Sequence, residues 1–213
     1  MNRKIAALFD LDGVLIDSES IYTQFWTRMD ELFPTGIENF AYSIKGTTLP
    51  DILDTHFSDN AVQAEVRKYL EEHERNMVYR IFPHVERFLE SLRAEGIPAA
   101  VVTSSNEQKM DGLYRQLPGF RDYFDLVVTD ADVKRSKPDP EGYILAAQRL
   151  GVPSEFCAVF EDSRAGLEAA RRAGGKVVAM ATTLLPCDIA GCGDIVLDSF
   201  ENLTPESLRG LFE

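Results

Sequence analysis

The chain has few cations, few cysteines and histidines, and no long apolar run, and each shortage removes a class of function. Only 22 Lys and Arg stand against 35 Asp and Glu among 213 residues, a formal charge of −13. Affinity for a nucleic acid backbone comes mainly from clustered Lys and Arg, so no nucleic acid partner is expected. The three cysteines, Cys157, Cys187 and Cys192, are odd in number and lack the paired spacing of a zinc site or a disulfide framework, which suits the reducing cytoplasm. The three histidines, His56, His73 and His84, fall at no metal-ligand spacing. No apolar stretch approaches the roughly 18 residues of a membrane span. The five apolar residues at 5–9 are too few for a signal-peptide core, so neither a membrane nor a secretory route is expected.

What is present is an ordinary globular composition, 45% hydrophobic and 27% charged, with enough apolar material for a core. Short apolar runs recur at 5–9, 99–103, 126–129, 157–160, 177–180 and 195–197. Runs that are short and continuous, not alternating, read as strands buried on both faces, the habit of parallel sheets. Between them lie amphipathic stretches at 85–94, 107–117, 141–150 and 164–173, three of them closed by Gly96, Gly151 and Gly174, the expected helix stop signal. This alternation predicts an α/β fold, a doubly wound, Rossmann-like parallel sheet.

The alternation is interrupted once. Residues 16–81 contain no convincing strand and read as helices at 18–32, 49–56 and 61–79. In the last of these Val62, Val66, Leu70, His73 and Met77 form one apolar stripe. The predicted organisation is therefore an α/β core of residues 1–15 and 82–213 with an all-helical insert at 16–81. The insert carries six cations and twelve carboxylates and the core 16 and 23, so acidity is spread over both.

Ligands of parallel α/β sheets gather at the carboxyl ends of the strands. The first run is followed by Asp10-Leu11-Asp12-Gly13, the second ends in Thr103-Ser104-Ser105-Asn106, Lys137-Pro138-Asp139-Pro140 follows the third, and the fourth ends in Glu161-Asp162-Ser163. An Asp-x-Asp arises by chance about once in such a chain, and the copy at Asp130 and Asp132 reads as a solvated loop. Asp10 and Asp12 differ because they follow a buried strand at once and precede a glycine that permits a sharp turn. Adjacent buried carboxylates need a cation or a proton to relieve their repulsion. The four clusters together suit phosphoryl transfer: Asp10 as a nucleophile, Thr103 and Lys137 for phosphate oxygens, Glu161 and Asp162 as hard oxygen ligands for magnesium. Each has a plainer role available, since Thr103, Asp162 or Ser163 could cap a helix and Lys137 could be a surface lysine.

DLDGVLIDS at the start, VVTSS at 101–105, SKPDP at 136–140 and EDSRAGLEAARRAG at 161–174 resemble the four motifs of the haloacid-dehalogenase-like hydrolase superfamily. More narrowly the chain is similar to the β-phosphoglucomutase and phosphoglycolate-phosphatase branch, whose helical cap is inserted after the first motif. The resemblance implies that Asp10 attacks phosphorus to form an aspartyl-phosphate, while Asp12 protonates the leaving oxygen and later takes a proton from water. It implies Mg2+ held by Asp10, the Asp12 backbone carbonyl and Asp162, with Glu161 close by or acting through water, and phosphate oxygens held by Thr103 and Lys137. Asp12 is then expected to have its pKa raised by burial under the closed cap.

Substrate contacts are expected from Ser104, Ser105 and Asn106 of the core and from Tyr22, Lys45 and Gly46 of the cap. Phe25 and Trp26, on nearly the same helix face as Tyr22, read as cap core, and His73 as an interior histidine. A dehalogenase is disfavoured because Asp12, needed only for a leaving group that takes a proton, is present. A mutase is disfavoured because Thr47 to Pro50 supply no arginine for a second phosphate and Tyr22 stands where that group has a histidine. The expected protein is thus a monomeric cytoplasmic phosphohydrolase acting on a small phosphorylated metabolite. A sugar-phosphate mutase and a non-catalytic binder of such metabolites are the alternatives.

Overall fold

The computed structural model describes residues 4–45 and 47–213. Six strands form one sheet: β1 (Ala6–Phe9), β2 (Ala99–Val102), β3 (Leu126–Val128), β4 (Cys157–Glu161), β5 (Lys176–Met180) and β6 (Ile195–Leu197). Every neighbouring pair is parallel, in the order β3-β2-β1-β4-β5-β6. The predicted doubly wound α/β architecture is what forms. The order reverses at β1, so the crevice between the carboxyl ends of β1 and β4 is the place where such sheets bind ligands.

The strands read as unbroken apolar runs because both faces are covered. Along β1, Ala7 and Phe9 enter one hydrophobic cluster with Phe88, Phe160 and Phe200, while Ala6 and Leu8 enter another with Tyr143, Ala146 and Leu167. Phe9 stacks on Phe160 across the β1–β4 pair, with ring centroids 4.6 Å apart. The helices of these layers are α5 (Val85–Ala94), α6 (Glu107–Gln116), α7 (Glu141–Leu150), α8 (Arg164–Ala173) and α9 (Pro205–Gly210). Gly151 and Gly174 end α7 and α8 in the left-handed conformation, as their positions in the sequence predict.

Between β1 and α5 the chain forms α1 (Glu19–Leu32), α2 (Phe40–Ser43), α3 (Leu49–His56) and α4 (Asn60–Arg75). Phe25, Trp26, Met29, Phe40, Ile52, Leu53 and Val66 make a hydrophobic cluster separate from the other two, and Phe25 and Trp26 are core residues as expected. The two crossings into and out of this segment lie side by side: Asp17 N donates to Arg80 O at 2.8 Å and Phe82 N to Leu15 O at 3.0 Å.

Two helical expectations need correction. The stretch predicted as one helix over 61–79 ends at Arg75, because Met77 and Tyr79 leave the stripe and pack into the cluster around Phe9 and Phe88. The turn at Phe40–Ser43 was invisible to periodicity because four residues make barely one helical turn. No described helix is long and apolar enough to cross a membrane.

Candidate active site

Asp10 follows β1 directly, and its backbone N–H continues the sheet by donating to Phe160 O at 3.0 Å. The side chain is thereby held at the point where the strand order reverses. Gly13 makes the following turn possible. Its φ is +76°, and a Cβ there would lie 1.9 Å from Asp162 Oδ2, so a side chain is excluded by both conformation and space. Asp162, at the end of β4, is only 4% exposed and accepts a hydrogen bond from Thr183 Oγ1.

Lys137 reaches in from the loop after β3 and binds three groups: Asp10 Oδ1, Val102 O at 3.0 Å and Glu161 Oε1 at 2.5 Å. Glu161 is fully buried, and both of its oxygens are engaged. Oε1 also accepts from the Tyr143 hydroxyl at 2.6 Å, while Oε2 accepts from Asp162 N, Ser163 N and Ser163 Oγ. A carboxylate so saturated serves to hold Lys137 in place. Gly166 in the first turn of α8 makes room for it, since a Cβ there would meet the Glu161 carboxyl at 1.9 Å.

Asp10, Glu161 and Asp162 each offer a carboxylate oxygen within 4.8 Å of the others, a buried acidic group that could hold a metal ion. One ammonium among three carboxylates leaves the cluster short of positive charge. Burial accordingly pushes the Asp10 carboxyl up to about 7 despite the pull of Lys137, with Glu161 and Asp12 adding to the rise. Asp162 is raised as well, by burial first and then by Glu161 and Asp10.

Asp12 behaves differently from the expectation. Burial would raise it, but the Lys109 ammonium at 2.6 Å and the nearby Ser18 and Ser105 hydroxyls outweigh burial, so its carboxyl lies below the usual carboxylate range. Lys109 was not singled out in the sequence. It sits in the first turn of α6, 6% exposed, and also donates to the Tyr22 hydroxyl at 2.6 Å. Tyr22 in turn donates to Glu74 Oε1 at 2.9 Å, so one chain of bonds joins the end of β1 to α1 and α4. The signal available was position: Lys109 comes three residues after Asn106, the N-cap that follows the Thr103 strand end.

A cavity of about 690 Å3 opens over these groups, lined on the sheet side by Asp10, Asp12, Thr103, Lys137 and Asp162 and on the helical side by Tyr22, Trp26, Lys45, Arg67 and Glu74. Thr103 is buried and Ser104 and Asn106 are exposed at its edge. Thr103 Oγ1 accepts from Ser105 N, Ser105 Oγ donates to Asp12 Oδ2 at 3.1 Å, and Asn106 Oδ1 caps α6 by accepting from Lys109 N at 2.9 Å. Of the residues expected to meet substrate, Ser105 and Tyr22 are therefore tied into the Asp12 network, and Gly46 lies outside the described residues. The Lys45 ammonium stands over the Tyr42 ring. Asp130 and Asp132 stay apart from the cavity on an exposed turn, as expected for a solvated loop.

Residues 6–174 match the family model described as haloacid dehalogenase-like hydrolase. The chain is 33% identical over 176 residues to a phosphorylated carbohydrates phosphatase of Thermotoga maritima, covering 79% of this chain and 81% of that protein. It is 31% identical over 210 residues to hexitol phosphatase A of Escherichia coli, covering 92% of each. The fold superposes on that of a HAD hydrolase of family IA, variant 3, from Entamoeba histolytica with a TM-score of 0.82 at 21% identity, covering 97% of this chain and 98% of the other.

Proposed function

The chain belongs to the haloacid dehalogenase-like hydrolase family, and on that premise we propose that it is a magnesium-dependent phosphatase of small phosphorylated metabolites, sugar phosphates among them, working in the cytoplasm as a monomer. The observation that carries this reading is the convergence of Asp10, Asp12 and Lys137 at the switch point of the sheet, facing a cavity of about 690 Å3 that suits a small molecule. Residues 16–81 act as a cap over residues 1–15 and 82–213, with the paired crossings as its hinge.

In the first half-reaction a carboxylate oxygen of Asp10 bonds to the substrate phosphorus as the bond to the leaving oxygen breaks. Asp12, ionised in the ligand-free site, takes up a proton from solvent as substrate binds and gives it to that leaving oxygen. In the second half-reaction Asp12 takes a proton from water, the water oxygen bonds to phosphorus, and the bond to Asp10 breaks, which restores both side chains and releases phosphate. Lys137 and the Thr103 hydroxyl hold the non-bridging phosphate oxygens, and Glu161 keeps Lys137 aimed between the nucleophile and the phosphate.

The donor set fits a hard divalent cation: the buried carboxylates of Asp10, Glu161 and Asp162 share the single ammonium of Lys137, which leaves the cluster short of positive charge. Asp10 and Asp162 would hold it with the Asp12 carbonyl. Bound there, magnesium supplies neutralisation of the phosphoryl charge and alignment of the reacting groups. Glu161 is bonded throughout by protein donors and is assigned to Lys137 in preference to the metal.

The test is phosphate release from a panel of sugar, polyol and short-chain phosphates and from 4-nitrophenyl phosphate. Release that needs magnesium, stops on chelation and is abolished by Asp10→Asn is the expected result. No release from any member, or release undiminished by Asp10→Asn, overturns the reading.

A further inference from the structure

Two donors converge on one oxygen of Asp12 and none on the other. Lys109 Nζ and Ser105 Oγ both donate to Oδ2, at 2.6 and 3.1 Å. Oδ1 is buried and has no hydrogen-bond partner among the described residues. A buried carboxylate oxygen left without a partner is costly, so an arrangement that puts both donors on Oδ2 and leaves Oδ1 unpaired calls for an explanation.

Lys109 is a costly way of satisfying a carboxylate. Its ammonium is buried with the rest of the side chain, and a buried cation requires close, well-formed bonds to offset its lost hydration. It has them in Asp12 and Tyr22, and α6 is fixed beneath it by the Asn106 cap on its own backbone N–H. The two oxygens of a free carboxylate exchange by rotation about Cβ–Cγ. A charge-assisted bond to one of them stops that exchange and holds the carboxyl in a single orientation.

We propose that Lys109 is the positioning residue for Asp12: by anchoring Oδ2 it fixes the one orientation in which the Asp12 carboxyl exchanges the proton with the leaving group and then with water. This role rests on the phosphatase reading above. Lys109 touches neither substrate nor phosphate in this assignment and acts through Asp12. Its second bond, to Tyr22 and through it to Glu74, makes the aim of Asp12 depend on the placement of α1 and α4. The general acid is aligned only while the helical segment sits over the site.

Leaving groups separate this role from a structural one. 4-Nitrophenolate departs without a proton, whereas an alkoxide needs one, so loss of proton transfer is felt mainly on alkyl phosphates. In the magnesium-loaded protein, kcat is measured on 4-nitrophenyl phosphate and on the most active alkyl phosphate of the panel for the unaltered protein, Lys109→Met, Lys109→Arg and Asp12→Asn. Positioned proton transfer contributes about 100-fold or more. Lys109→Met should therefore lose at least about 30-fold more on the alkyl than on the aryl ester, Asp12→Asn should show the same split, and Lys109→Arg should recover most of it.

Tyr22→Phe leaves the Lys109–Asp12 pair intact but cuts its tie to α1, and should show a smaller split in the same direction. It decides the matter if Lys109→Met fails to fold. Equal losses on both esters, or no loss, in a variant that unfolds at the normal temperature overturn the role while the phosphatase reading stands. Absence of magnesium-dependent release by the unaltered protein from either ester overturns both.

Discussion

The Tyr143 hydroxyl donates to Glu161 Oε1 at 2.6 Å, on the same oxygen that receives Lys137. Tyr143 is 1% exposed and lies on α7, the helix that follows SKPDP directly, so that helix sets one support of Lys137. Its ring also lies 5.0 Å from the Lys137 ammonium, measured to the ring centre.

Removing that hydroxyl is therefore a test of support without removal of any reacting group. A buried hydrogen bond to a charged acceptor is worth about 1.5–3 kcal/mol. Tyr143→Phe should lower the unfolding free energy by roughly that amount, read by urea denaturation. Because Glu161 keeps its other four donors, KM should rise by only a few-fold with kcat nearly unchanged. A variant as stable as the unaltered protein would show that the other four donors suffice to hold Glu161.

The sheet, its helices and the strand-end clusters were legible because their causes are local and periodic. Buried parallel strands show as continuous apolar runs, and glycine marks helix ends. Asp10, Lys137 and Asp162 could be read because a parallel sheet brings its strand ends together. Lys109 could not, since a lysine in the first turn of a helix has the look of any solvated lysine until its partner Asp12, 97 positions away, is placed beside it. Thr182 and Thr183 were missed for another reason. They follow β5, whose carboxyl end obeys the same rule as the other four, and they bond to Gly13 O and Asp162 Oδ2. Met77 and Tyr79 illustrate a third limit: helical spacing continues past Arg75, but tertiary packing decides which core claims the residues.

The state of Asp10 gives the metal-free protein a distinctive pH dependence. Its carboxyl is raised by burial from the usual 3.8 to about 7. Between about pH 4 and 7 the folded protein keeps a proton that the unfolded chain has released, so this group's contribution to stability falls as pH rises through that window. Asp162, raised in the same direction, adds to the loss. On the proposed assignment a divalent cation would take the place of those protons, so the rise in melting temperature on adding magnesium should be small near pH 5 and larger near pH 8. Calorimetry with a chelator and with magnesium at both values measures it. An equal or absent magnesium effect at the two pH values would remove Asp10 and Asp162 as the metal ligands.

The second Asp-x-Asp provides an internal comparison for the first. Asp132 Oδ2 accepts from Thr129 N at 3.0 Å, and Oδ1 pairs with Arg149 at 2.9 Å, a bond that ties the turn after β3 to α7. Those contacts hold its carboxyl below the usual range, the Thr129 backbone bond chief among them. The pair is solvent-exposed, the setting in which ion pairs contribute little, so most of the stabilisation should come from the cap on Thr129. Asp132→Ala should cost about 1 kcal/mol, the usual value of a lost cap. That cost should be present in full above about pH 4 and shrink below it until the two proteins converge, because protonation of Asp132 removes the same bonds that the substitution removes. Phosphatase activity should be unchanged, whereas Asp12→Ala, one motif earlier in kind but at a strand end, should abolish turnover of alkyl phosphates. If Asp132→Ala lost activity as Asp12→Ala does, position at the carboxyl end of a buried strand would not be what distinguishes a catalytic Asp-x-Asp in this fold.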